Sequence, residues 1–125
     1  MNLNTIMIGS EQPQTLIKFY GHIFGKPGWH EEGSDWAGWR VGDGNLVVGP
    51  HDKVKGKNPE PGRFIINIET DELKDEFDRI KDLGAEVVAE PYHPGEDASG
   101  WLATFADPDG NYFQLATPWK DSDQS

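Results

Sequence analysis

The chain has 125 residues, enough for one domain with a real core, and a formal net charge of −11 with no cysteine. Disulfides, thiolate metal sites and cysteine nucleophiles are therefore excluded, and nucleic acid and anionic membrane are disfavoured as partners. The opening residues show neither a basic n-region nor a long apolar run, so a soluble cytoplasmic protein without a membrane span is expected.

Residues 3–8 are β-branched and apolar and predict a strand. A helix start follows at Ser10, Glu11, Gln12 and Pro13, with Ser10 or Glu11 near the cap and proline in the first turn. Leu16, Ile17, Phe19, Tyr20, Ile23 and Phe24 recur at helical spacing, and Gly25 ends the run. Residues 29–32, 35–41 and 45–48 predict three short antiparallel strands, separated by Gly33-Ser34 and by Gly42-Asp43-Gly44. Residues 51–62 are polar with lysine, glycine and proline, and predict a linker.

The pattern then restarts. Residues 63–69 predict a strand. Thr70 or Asp71 caps a helix carrying Leu73, Phe77, Ile80 and Leu83, which stops at Gly84. Residues 86–90 predict another strand and residues 91–100 a Pro/Gly loop. Residues 101–105 and 112–115 predict a hairpin around Asp107-Pro108-Asp109-Gly110-Asn111, where proline presets φ and glycine takes φ > 0. Gly25 and Gly84 hold matching places, as do Asp43-Gly44-Asn45 and Asp109-Gly110-Asn111. The order of strand, helix and strands is thus written twice, a βαβββ unit repeated.

The closing hairpin resembles that of the vicinal oxygen chelate superfamily, which includes glyoxalase I, extradiol dioxygenases and bleomycin-resistance proteins. The helix segments Leu16, Ile17, Lys18, Phe19, Tyr20 and Ile80, Lys81, Asp82, Leu83, Gly84, Ala85 extend the resemblance over most of the chain. It implies an α+β fold: one glyoxalase-like domain over residues 1–125, with units at 1–55 and 63–118 and a tail at 119–125. Each unit is a curled mixed sheet with its helix on the outer face.

In the metal-binding members of that superfamily, His or Glu stands on the first and last strand of each unit. The matching positions here are Thr5 (or Asn4), Val48, Phe64 or Ile65, and Gln114. Valine, phenylalanine and isoleucine cannot ligate, and threonine and glutamine offer only neutral oxygens. No metal and no cofactor are therefore expected. The resemblance implies that Gln114 faces a cavity, with Tyr112 sharing its face by alternation. Asn67 and Thr5 face the same space, and Trp39 and Trp101 wall it. His51 and His93, with Glu96 and Asp97, lie on loops that would cover it. His22 and His30 read as surface residues.

The expected function is binding of a small organic ligand, planar and neutral or cationic, by a homodimer. The alternatives are a lyase, isomerase or ring-cleaving dioxygenase related to glyoxalase I, and a dimerisation module without ligand. Phosphate loops, dinucleotide fingerprints and nucleophile elbows are absent from the sequence.

Overall fold

The computed structural model describes residues 1–95 and 99–118. Glu96, Asp97 and the predicted tail at 119–125 lie outside the described residues. The chain divides into two compact units, Met1–Lys57 and the residues from Asn58 onward.

The first unit holds β1 (Thr5–Ser10), α1 (Pro13–Phe24), β2 (Ala37–Val41) and β3 (Gly44–Pro50). Its sheet runs β1–β3–β2, with β1 parallel and β2 antiparallel to the central β3. Pro13 starts α1, where a missing N–H costs nothing, and the Gln12 N–H just ahead of it is held by Ser10 Oγ at 2.9 Å. Gly25, at φ 90°, ends the helix in a conformation that side chains resist. Leu16, Ile17, Tyr20 and Ile23 bury one helical face against Ile8, Trp39, Leu46 and Val48. Full burial of Leu16 alone stabilises by about 1.5–3 kcal/mol.

The second unit holds β4 (Ile66–Glu69), α2 (Leu73–Asp82), β5 (Glu86–Tyr92), β6 (Leu102–Ala106) and β7 (Tyr112–Ala116). The strand order is β4–β7–β6–β5, with β4 parallel to the neighbouring β7. Thr70 Oγ1 accepts the Glu72 N–H at 3.1 Å, repeating the device of Ser10 ahead of α1. Leu73, Phe77 and Ile80 are buried, and Phe77, Phe105 and Phe113 stack in sequence at centroid spacings of 5.1 and 5.5 Å. Leu83 departs from the expected packing. It stands past the last turn of α2, at the C-cap, and is 45% exposed.

The architecture is α+β with two mixed sheets, of three and four strands, each carrying one helix. One expected strand is missing. Residues 29–32 make a single antiparallel bridge, Trp29 to Gly38, and then curl away. The Ser34 N–H returns to Glu31 O at 2.8 Å and His30 Nε2 meets Ser34 O at 3.1 Å, so the polar run closes on itself instead of extending the ladder. The predicted strand at 63–69 begins only at Ile66, because residues 61–63 form a turn of 3₁₀ helix.

Candidate functional site

Alternation along each strand sends one set of side chains to the helix and the other to the opposite, open face. In the second sheet Phe105, Phe113 and Leu115 lie on the α2 side, so Thr104 and Gln114 lie on the open face. Register places Asn67, Gln114 and Thr104 side by side across β4, β7 and β6. They form one hydrogen-bonded row. Thr104 Oγ1 donates to Gln114 Oε1 at 3.1 Å, and Gln114 Nε2 donates to Asn67 Oδ1 at 2.6 Å. Thr104 is 6% exposed, whereas Gln114 and Asn67 reach solvent. Each amide NH₂ carries two N–H donors and each carbonyl two lone pairs, so the row keeps spare donors and acceptors. Tyr112 stands on the same face, beside Ala106.

In the first sheet the corresponding row is Met7, Val47 and Gly38. The sequence repeat of Asp-Gly-Asn pairs Gln114 with Val48 instead, but Val48 is fully buried against the α1 side. The turns explain the one-residue difference. β2 and β3 are joined by two residues, Gly42 and Asp43, with positive φ at Gly42 as a type II′ hairpin requires. β6 and β7 are joined by five, residues 107–111. Asn45 is already in a strand opposite Arg40, whereas Asn111 is still in the loop, its N–H and side-chain amide bound by Asp107 at 3.0 Å each. A shift of one residue exchanges the two faces of a strand.

Three expected site residues are corrected by this geometry. Trp39 is 3% exposed, packs edge-on to Tyr20 of α1 at 6.3 Å and donates its indole N–H to Gly25 O at 2.9 Å. It belongs to the core. Trp101 shares the α2 side with Phe105, and the Lys74 ammonium of α2 sits 4.1 Å from its ring. His93 packs on that indole at 3.8 Å and its Nδ1 meets Gly100 O at 2.7 Å. Trp101 and His93 therefore lie on the opposite side of the sheet from Gln114. Thr5 does stand on the open face of β1, opposite Asn45, with its hydroxyl bonded to Asn4 Oδ1. On the first strand of the second unit, the residue beside Gln114 is Asn67. Phe64 and Ile65 precede β4 and are exposed.

Sequence reading missed the aromatic residues that do occupy an open face. Trp36 and Gly38 alternate with Trp39, so Trp36 shares the open face of the first sheet. Three glycines there lie close under side chains, two of them under indole rings. A Cβ added at Gly49 would collide with the Trp36 indole, one at Gly38 with the Trp29 indole, and one at Gly9 would come within 2.8 Å of His51 Cβ. The signal was available in the parity of residues 36 and 39 and in a glycine on each of three neighbouring strands.

Among the described residues no group of three His, Asp or Glu side chains is arranged to hold a metal ion. The donors at the metal positions of the related superfamily do not fit a divalent transition metal. In the second unit they are the neutral amides of Asn67 and Gln114, already engaged with one another, and in the first they include valine. Such an ion needs about three strong protein ligands.

No helix among the described residues is long and apolar enough to cross a membrane. A family model described as a glyoxalase-like domain matches residues 5–116. No curated protein matches the chain. Among solved structures, a "conserved domain protein" is 22% identical, covering 95% of this chain and 100% of its own, at a TM-score of 0.76. A glyoxalase-related enzyme from Fulvimarina pelagi is 17% identical over 94% of this chain and 88% of its own, at 0.73. A glyoxalase/bleomycin resistance protein/dioxygenase family enzyme from Burkholderia phytofirmans PsJN is 17% identical over 94% and 98%, at 0.71. At these identities the structures share the fold. With the family model spanning both units, the chain belongs to the glyoxalase-like family of the vicinal oxygen chelate superfamily.

Proposed function

We propose that this protein is a metal-free, small-molecule-binding member of its family, working in the cytoplasm as a homodimer. The observation that carries this reading is the Asn67–Gln114–Thr104 row. Where a metal-dependent relative would place His or Glu, this chain places two neutral amides, with a hydroxyl on the next strand. Such a row binds carbonyl, amide or hydroxyl groups of an organic ligand and supplies little to a metal ion. Tyr112 beside the row is the further contact proposed in the second unit, and Thr5 and His51 are separate contacts proposed on the first unit's own sheet. Exposed apolar side chains beside edge strands support the dimer. Leu3 and Phe64 are almost fully exposed, and Met7 and Ile65 partly so, beside the edge strands β1 and β4.

The test is elemental analysis of protein purified without chelator, followed by thermal-shift screening of planar organic compounds. Well under one equivalent of metal, with a saturable stabilisation by some compounds, is expected. Near-stoichiometric Zn, Ni, Fe or Mn that survives dialysis refutes the reading and points to a metal-dependent lyase, isomerase or dioxygenase.

A further inference from the structure

The open face of the first sheet holds two tryptophans whose roles differ from that of Trp39. Trp29 is 51% and Trp36 38% exposed, and neither indole N–H has a hydrogen-bond partner among the described residues. Each indole rests on a strand glycine and is partly exposed to solvent. Gly38 pairs with Val47, and Gly49 lies two residues further along β3, so the two supported rings are diagonal neighbours, about 7–8 Å apart at the backbone. The absence of side chains at Gly38 and Gly49 lets both rings lie low, which makes a paved surface instead of two projecting edges.

The charges on this face have one sign. Open-face positions of the three strands are Thr5, Met7 and Gly9, then Trp36, Gly38 and Arg40, then Asn45, Val47 and Gly49. Arg40 is the sole charged residue among them. Its Nε donates to Gly42 O at 2.8 Å, and its two terminal nitrogens have no partner among the described residues. Along β2 the face therefore reads indole, indole, guanidinium. Free indole N–H groups and a guanidinium are all donors, and no carboxylate stands on these strands to receive a cation. We propose that this face is a binding platform for a flat arene carboxylate: the ring system lies on Trp29 and Trp36, and the carboxylate takes the fork of Arg40.

The inference rests on the ligand-binding reading above and names a ligand class for it. It also departs from the neutral or cationic ligand that the net charge of −11 suggests. Asp35 and Asp43 flank β2 outside its open-face positions, and at 0.1 M salt, where the screening length is about 10 Å, only acids farther away than these are largely screened from the platform.

The experiment is calorimetric titration of the full chain with three probes of one ring system: 2-naphthoate, 2-naphthylmethanol and 2-naphthylmethylammonium. Naphthoate is expected to bind tightest and the ammonium weakest. Arg40→Gln, on an exposed side chain, is expected to weaken naphthoate roughly tenfold or more, down to the level of the alcohol, and to spare the alcohol. Trp29→Leu and Trp36→Leu are expected to weaken all three probes several-fold, and Trp36→Phe to restore most of that loss. Where a leucine variant has lost its native circular dichroism, the Arg40→Gln comparison alone decides. Equal affinities for the three probes, or naphthoate binding unchanged in Arg40→Gln, overturns the platform. Naphthoate binding that Gln114→Leu abolishes and the Arg40 and Trp variants leave intact also overturns it, while the proposed function stands. Retained stoichiometric metal refutes that function separately.

Discussion

Replacing Gln114 with leucine cuts the hydrogen-bonded row at its centre, and the consequences at its two ends differ. Asn67 is exposed, so water takes the place of the lost Gln114 Nε2 donor at little cost. Thr104 is 6% exposed and donates its hydroxyl to Gln114 Oε1, so its donor is stranded. An unsatisfied buried hydroxyl costs about 1–3 kcal/mol, and the added apolar burial of leucine offsets a few tenths of that. The expected loss for Gln114→Leu is therefore about 1–2 kcal/mol. Removing the stranded donor as well, in the Thr104→Val/Gln114→Leu double variant, is expected to recover most of it, because an apolar pair leaves nothing unsatisfied. Urea unfolding of the wild type, both single variants and the double variant gives the full cycle. A Gln114→Leu variant as stable as the wild type, or a double variant less stable than Gln114→Leu, would show that the row carries no coupling and refute the reasoning.

Three further outcomes are expected. Asp107→Ala removes a 5% exposed carboxylate that accepts the Asp109 and Asn111 N–H groups and the Asn111 side-chain amide, and thermal melts should show a loss of about 3 kcal/mol. Gly49→Ala drives a Cβ into the Trp36 indole and should cost about 1–3 kcal/mol in urea unfolding, with a red shift of tryptophan emission as the ring lifts into water. Sedimentation equilibrium at micromolar concentration should return twice the chain mass, and Phe64→Lys, on a side chain 83% exposed, should lower it toward a single chain.

The elements that sequence reading located well are those whose signal is local. Gly25 and Gly84 have positive φ where the helices stop, and the hydrophobic face of α1 is the buried face; the helix starts are later than expected, with Gln12 and Glu72 at the caps and Ser10 and Thr70 each bonding the cap N–H from two residues ahead. The open face of the second sheet was legible too, because Gln114 alternates with Phe113 and Leu115 in a strand without bulges. Errors arose where tertiary context decides. Trp39 and Trp101 look alike to a propensity argument, yet Trp39 spends its N–H on Gly25 and Trp101 supports Lys74 and His93. Residues 29–32 have strand composition, but a ladder partner exists only for Trp29. The Asp-Gly-Asn repeat misaligned the halves because a two-residue and a five-residue turn contain the same letters.

The glycine floor of the first sheet also separates support from selectivity. The three strands contribute bare backbone at Gly9, Gly38 and Gly49, and the rings above come from Trp29 and His51, outside the strands, and from Trp36, just before β2 begins. What a ligand would touch is thus carried largely by connecting segments, which tolerate exchange, while the register beneath is held by ladder hydrogen bonds that no substitution in those segments disturbs. Swapping a ring at position 29, 36 or 51 changes the chemistry on offer without re-solving the folding problem. Substituting Gly38 or Gly49 evicts the indole above it. Diversification on this scaffold therefore runs through the loops, and the glycines are the positions that cannot follow.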